Sequence, residues 1–530
     1  MKLTKVLALV LVVVMLASML IACGDKPAET TPAATTPAPT TPAPTTPAPT
    51  TPAPTTPAPT TPAPTTPAPT TPAPTTPAPT TPAPTTPAET TEPADEIITW
   101  DGKTLNVFAN QWYSTSGSWA PVELWVTEYG VSALDDAILD RAAYIEETYD
   151  ITMKWTGLNA TVMTAIASAM DAGTKDYDLW VNKILICQAI VANGYVYDLA
   201  DSEYIDFSKS YYSPLGKEAF TVAGHTFFAT GDFNYITYEV TYLWWVNADF
   251  LADVSDIDLY ETVREGNWTL DLAFEIAAEA GEDINGDGIM DTADQYGLVT
   301  GNPGARWYHY CGISSVVSKD GKYEIGLNDT ARVNSAISYA LRMLNSDWYT
   351  STAWQDGSSI FREGRALFMQ EVIQQFNGYL ALDFNLYSVP NPKLDVNDEY
   401  YYTSGAFNQA NSICIPKCTQ DRAMSEYFFE VLFKTGSEMI MPYYLDAKLV
   451  DADPDYYDDY VDMVTNYILP GALYDVGVDC YEWSTVAGNI TNPSLSNRIN
   501  TFAADYEANI DAAQAVVDGW NANWAAYTEE

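Results

Sequence analysis

The chain is 530 residues long and carries 24 Lys and Arg against 70 Asp and Glu, a net charge of −46 at neutral pH. A surface this acidic repels phosphate backbones and anionic headgroups, which argues against nucleic acid or a bare membrane surface as partner. Apart from Cys23, the cysteines (Cys187, Cys311, Cys414, Cys418, Cys480) are odd in number and irregularly spaced. That gives no disulfide framework, and Cys414 and Cys418 lack a second pair for a zinc site.

In chain order, Lys2 and Lys5 precede an apolar run, Val6 to Met19, that ends in Leu20-Ile21-Ala22-Cys23. This is a secretory signal rather than a fold element. Its last four residues resemble a bacterial lipobox, which implies a signal peptide over 1–22, cleavage before Cys23 and lipidation of that thiol. The alternative is an uncleaved anchor, because about sixteen apolar residues approach the length that spans a bilayer. Either reading places the chain outside the cell and tethered. A Thr/Pro/Ala tract follows to residue 96, with TTPAP repeated ten times from Thr35 to Pro84. Proline at this density favours extended polyproline II, with a reach on the order of 200 Å at ~3.1 Å per residue. Its threonines are candidate O-glycan acceptors.

Residues 97–530 are too many for one ordinary core and point to two lobes. Leu105 to Ala109 reads as a strand, followed by a helix capped by Ser132 with Leu134, Ile138 and Ile145 on its apolar face. Ile151 to Trp155 is the next strand. A helix with Val162, Ile166 and Met170 stops at Gly173, before the strand Tyr177 to Val181. This alternation predicts parallel βαβ units, whose ligands sit at the carboxyl ends of the strands. A long strand is expected over Tyr238 to Asn247. Helical spacing recurs at Leu270 to Ala280, at Val333, Ile337, Leu341 and Leu344, and at Arg422 to Lys434. Short strands are expected at Ala366 to Met369 and Leu386 to Val389, and terminal helices over Asn500 to Trp524.

Between Asp283 and Asp294, side-chain oxygens fall at positions 1, 3, 5, 9 and 12 (Asp283, Asn285, Asp287, Asp291, Asp294), with glycine at position 6 and the Ile289 carbonyl at position 7. This is the ligand spacing of an EF-hand calcium loop, and structural Ca²⁺ is the expectation. Asp294 stands where Glu is usual, and its shorter reach weakens bidentate coordination; a solvated acidic turn is the competing reading. The flanks predict helix, loop and strand, so the ion would be a staple and not a paired sensor.

Sugar rings pack their C–H faces on flat aromatic side chains while their hydroxyls bond polar groups. Three segments, read as loops after strands or turns, combine these chemistries: Asn110-Gln111-Trp112, Trp180-Val181-Asn182 and Arg306-Trp307-Tyr308. Trp244, Trp245 and Trp268 read as core. The two histidines, His225 and His309, have no metal or triad spacing and read as structural. No phosphate-loop, dinucleotide or GxSxG motif is present, so no catalytic residue is assigned.

Taken in order, YDLWV, GYVYDLADSEYIDFSKSYY, NWTLDLAFEIAAEAGEDINGDGIMDTADQYGL, FREGRALFM, YSVPNPKLDVNDEYY and YDVGVDCYEW resemble the bacterial extracellular solute-binding proteins of family 1, over nearly all of residues 97–490. The resemblance implies a two-lobed, periplasmic-binding-protein-like α/β fold of type II, with discontinuous lobes joined by a hinge and the ligand between them. Lobe 1 would hold about 97–243 and 405–445. Lobe 2 would hold about 244–404 and the C-terminal helices 446–530, with crossovers at Tyr238–Asn247 and Tyr402–Ser412. It also implies a carbohydrate ligand, ABC transporter permease subunits as partners, a monomer that catalyses nothing, and a place on the outer face of a Gram-positive-type membrane. Asp232 and Trp483 join the ligand-binding candidates because the family places its cleft there. A cell-surface glycoside hydrolase and a glycan-binding adhesin or sensor remain the alternatives.

Overall fold

In a computed structural model of the chain, the described residues are 97–110, 126, 129–130, 132–158, 162–301, 304, 306–351, 354–375, 379, 382–405, 410–449, 456–480 and 485–525. The signal segment, Cys23, the repeat tract, Gln111, Trp112 and Trp483 lie outside them. Among the described residues, no helix is long and apolar enough to cross a membrane.

Strand β1 (Lys103–Asn110) pairs in parallel with β2 (Ile151–Leu158) and β3 (Leu179–Lys183). Helix α1 (Ala133–Tyr149) starts where the Ser132 side chain accepts the Asp135 N–H at 3.0 Å, and α2 (Val162–Ala172) stops before Gly173 at φ 63°. Period-two alternation then sorts the strands. Leu105, Val107, Leu179 and Val181 enter one core cluster, while Phe108 and Trp180 enter another from the opposite face. The short strand β4 (Phe228–Ala229) lies at the far edge of this sheet.

The chain then crosses to a second sheet through β5 (Tyr242–Asn247). Helix α3 (Leu270–Ala280) leads through the acidic loop into β6 (Tyr296–Thr300), and helix α4 (Thr330–Leu344) into β7 (Tyr349–Ser351). Strands β8 (Ala366–Val372) and β9 (Leu386–Val389) complete the order β7-β6-β8-β5-β9, in which only β5 runs antiparallel to its neighbours. The chain returns to the first sheet as β10 (Asn411–Cys414), antiparallel between β3 and β4, and helix α5 (Arg422–Met439) packs beside it. Each sheet therefore receives one reversed strand directly after a crossover. The expected two-lobed α/β architecture is what the topology shows.

The strand expected over Tyr238–Asn247 begins four residues later, because Ile236–Glu239 form a helical turn. Asn234 Oδ1 accepts the Ile236 N–H at 3.3 Å, and the Thr241 hydroxyl donates to the Thr237 carbonyl at 2.8 Å. Buried Glu239 pairs with Lys448 at 2.5 Å. These bonds satisfy the segment locally and override its β-branched and aromatic composition. The segment Tyr177 to Val181 is likewise shifted, to Leu179–Lys183, which moves Asn182 from a loop into the strand. Cys311, Cys414 and Cys418 are buried.

Gly297 on β6 faces α3 so closely that a Cβ there would overlap the Ala277 carbonyl. Gly297→Ala is expected to push helix and strand apart and destabilise the fold by about 1–3 kcal/mol, read as a lower urea midpoint with an unchanged m-value.

Candidate functional site

The two crossovers lie against each other. Thr241 pairs with Gly405, the Tyr242 N–H donates to the Ser404 carbonyl at 2.9 Å, and Ile373, just past β8, donates its N–H to the Thr241 carbonyl at 2.9 Å. Beneath them, Asn391 donates to the Thr403 hydroxyl at 2.8 Å and accepts from Gln370 at 2.5 Å, while Thr403 donates to the Tyr242 carbonyl at 2.6 Å. This polar seam joins the start of β5 to the ends of β8 and β9.

Arg306, half buried in the short helix Arg306–Tyr310, reaches the seam from the segment after β6. Its guanidinium stands 5.7 Å from the centre of the Tyr242 ring, and its Nε donates to the Gly405 carbonyl at 3.4 Å. It makes no ion pair among the described residues. Tyr310 packs 6.2 Å from Tyr242, and buried Glu371 lies at the end of β8. Burial raises the Tyr242 phenol above its ordinary range; Arg306 opposes that rise and Glu371 adds to it. The result is a cation, two phenols and a carboxylate where parallel strands end, the position at which such sheets take their ligands. On the other sheet, burial pushes the ammonium of Lys183, at the end of β3, down to about 8.

The same crossover flanks a cavity of about 310 Å³ whose lining includes Tyr212, Ser213, Asp232, Tyr238, Thr241 and Tyr474. That volume is at the small end of ligand pockets, and the mixture of rings and hydroxyls suits a polyhydroxylated guest. Asp232 accepts from the Tyr238 hydroxyl, yet burial dominates and holds its carboxyl above the usual range.

Of the residues singled out from sequence, Arg306 and Asp232 come to this junction. Trp307 and Tyr308 do not: they lie in a helix, not a loop, and are 4% and 2% exposed. Trp307 donates to the Ala336 carbonyl at 2.7 Å and Tyr308 to the Thr491 carbonyl at 2.8 Å. Asn182 is fully buried within β3, with its amide 3.6 Å from Cys414 Sγ. Asn110 ends β1. Tyr242, Tyr310, Glu371 and Tyr238 were not singled out; the sequence signal for them was their proximity to the crossover and to strand ends.

His309, read as structural, is the centre of a buried chain. Its Nδ1 lies 2.9 Å from Ser404 Oγ and its Nε2 lies 3.0 Å from Asp475 Oδ2. Serine, histidine and aspartate stand in triad order, but all three are 1% exposed or less, so no substrate atom could reach Ser404. Asp475 also accepts from Ser315 N–H at 2.5 Å, Ser315 Oγ at 2.8 Å and Gly477 N–H at 2.9 Å. The chain fastens the second crossover to the segment that follows Tyr474.

Comparison with known proteins finds no matching family model and no matching curated protein. Among solved structures, the chain is similar to the uncharacterized protein lmo0859 from Listeria monocytogenes EGD-e, with 12% identity, a TM-score of 0.53, and coverage of 78% of this chain and 99% of that one. It is similar also to a cyclo/maltodextrin-binding protein complexed with maltotetraose, at 13% identity and a TM-score of 0.49, covering 81% and 98%. A third is the ABC substrate-binding protein Lmo0181 from Listeria monocytogenes in complex with cycloalternan, at 12% identity and a TM-score of 0.46, covering 78% and 99%. At 12% identity the first of these likenesses speaks for the fold alone.

Burial works against the Asp475 charge, but the bonds from His309 and Ser315 outweigh it and hold the carboxyl below its ordinary range. A depressed native value stabilises the fold fully above the unfolded Asp value of about 3.9, and that stabilisation is lost as pH falls through the native value. Urea melts across this acid range should therefore show wild-type stability falling with pH. Asp475→Asn should lose that part of the slope and, with its buried partners left unanswered, about 3–5 kcal/mol of stability at neutral pH.

Proposed function

We propose that this chain is the extracellular solute-binding component of an ABC importer, capturing a saccharide between its lobes and presenting it to permease subunits. The observation that carries this reading is the hinge. Two crossovers run side by side between two sheets, and the convergent Tyr242, Tyr310, Arg306 and Glu371 side chains lie at that junction. These four side chains belong to the second lobe; a ligand that reaches from them to first-lobe groups such as Tyr212 and Asp232 in the neighbouring cavity would favour the closed arrangement over the open one. Tyr242 and Arg306, both part-exposed, supply a flat apolar face and a donor for ring hydroxyls, with buried Tyr310 and Glu371 packed behind them.

The rest of the reading draws on the leader. Lipidation at Cys23 and a proline-rich tether reaching through the wall would hold the binding body, as a monomer, outside a Gram-positive-type membrane. The body would perform no chemistry of its own. The buried Ser404–His309–Asp475 chain gives no support to hydrolysis, since its hydroxyl is enclosed.

Calorimetric titration of the full chain against a panel of neutral and acidic mono- and oligosaccharides tests the proposal. Saturable binding of at least one saccharide, recovered chemically intact, is expected, with a gain of about 2.7 kcal/mol in stability at a hundredfold excess over Kd. Arg306→Gln should weaken that binding at least tenfold while leaving the melting temperature of the free protein nearly unchanged. Consumption of the saccharide would overturn the binding-only reading, and silence across the panel would overturn the carbohydrate reading.

A further inference from the structure

The acidic loop between α3 and β6 holds a buried polar atom with nothing to answer it. Asp294 is 0% exposed; its Oδ2 accepts the Asp291 N–H at 2.8 Å, and its Oδ1 has no hydrogen-bond partner among the described residues. Burying an ionised carboxylate oxygen unpaired is unfavourable unless a donor or a cation meets it. The nearby cation does not. Arg365 gives its N–H groups to the Thr292 and Asp294 carbonyls at 2.8 and 2.7 Å, and pairs with Glu363 at 2.5 Å.

The rest of the loop is already shaped around its side-chain oxygens. Asp283 accepts the Gly286 and Gly288 N–H groups at 2.7 and 2.8 Å. Asn285, Asp287 and Asp291 each accept the N–H two residues on at 2.8 Å. Gly286 and Gly288 sit at φ 73° and 82°, a left-handed conformation that the winding requires and that side chains with a Cβ resist. Each carboxylate or amide oxygen keeps a further lone pair after these bonds. Ile284 and Ile289 turn outward, 49% and 65% exposed. Among the described residues no three His, Cys, Asp or Glu side chains converge as a ready-made metal cluster, so Ca²⁺ binding here requires the loop carboxylates to move inward.

We propose that Asp283, Asn285, Asp287, the Ile289 carbonyl, Asp291 and Asp294 bind one Ca²⁺, with the orphaned Oδ1 of Asp294 as the innermost ligand. The donor set is all oxygen and lies on one flexible loop, which suits Ca²⁺ better than the small, strictly octahedral Mg²⁺ and gives Zn²⁺ no nitrogen or sulfur. The ion closes the base of the second sheet. Tyr296, first residue of β6, donates its hydroxyl to the Asp291 carbonyl at 2.9 Å, and its N–H bonds the carbonyl of Arg365, the residue before β8. Tyr242 and Glu371 lie at the other end of the same strands, so the ion is a staple for this lobe and no part of the ligand site.

The test is metal binding by the full chain after chelator treatment, read by calorimetry and by melting temperature. One tight Ca²⁺ per chain and a rise of several degrees are expected, with little response to equal Mg²⁺. Asp294→Asn and, at an exposed ligand that folding does not need, Asp287→Asn should each weaken Ca²⁺ binding at least tenfold; Asp511→Asn, an exposed acid outside the loop, should change nothing. A wild-type chain with no stoichiometric Ca²⁺, or Ca²⁺ binding that persists unchanged in Asp287→Asn, would overturn the assignment. The second outcome would trace the effect to screening of the acidic surface.

Discussion

The pairing of Thr241 with Gly405 is the constraint from which the rest of this architecture follows. It binds two passages of chain, far apart in sequence, into one short ribbon between the sheets. Because each passage feeds a reversed strand into the sheet it enters, neither sheet is complete without chain from across the ribbon or beside it. The buried bonds of Asn391, Thr403 and Glu239 fix this ribbon in place.

That placement also explains the electrostatics of the junction. In a chain with 70 acidic groups and 24 basic ones, cations such as Lys103, Arg264 and Arg332 pair with carboxylates; Arg306 instead faces a ring and a carbonyl. A cation–π contact holds the guanidinium half buried and oriented, and among the described residues its terminal N–H groups take no hydrogen-bond partner. His309, three residues on, uses its ring to tie Ser404 to Asp475, so the short helix that carries Arg306 is fixed to the ribbon it serves. The triad-like order is thus a fastening.

The parts legible in the sequence are those governed by local physics. Alternating Leu105, Val107 and Ala109, the Ser132 cap and the stop at Gly173 produced strand and helices where periodicity and capping place them. The acidic loop was legible because its spacing encodes the turn. What sequence reasoning missed was decided by tertiary contacts. Arg306-Trp307-Tyr308 reads as a polar aromatic loop, yet one residue reaches the junction while the next two are held inside by the Ala336 and Thr491 carbonyls. No one-dimensional pattern announces partners 29 and 183 residues away. Tyr242 and Glu371 looked like ordinary strand residues, and only the register of β5 against β8 sets them at one end of the sheet.

The two lobes also meet away from the ribbon, and this bears on how far the hinge can swing. Trp524 in the last helix packs 5.0 Å from Phe227, and the Gly321 carbonyl accepts the Ala223 N–H at 2.5 Å. Both contacts join chain after the first crossover to chain before it, and one continuous core cluster draws Phe227 and Trp180 together with Trp244 and Trp524. Opening about Thr241 and Gly405 either carries the antiparallel hairpin Val316–Ile325 and the helix Phe502–Ala525 along with the first sheet or exposes these large rings to water, at roughly 1.5–3 kcal/mol per buried aromatic side chain. On the function proposed above, a ligand between the lobes would add to contacts that these rings already make, and how firmly Trp524 stays seated would limit the range of opening.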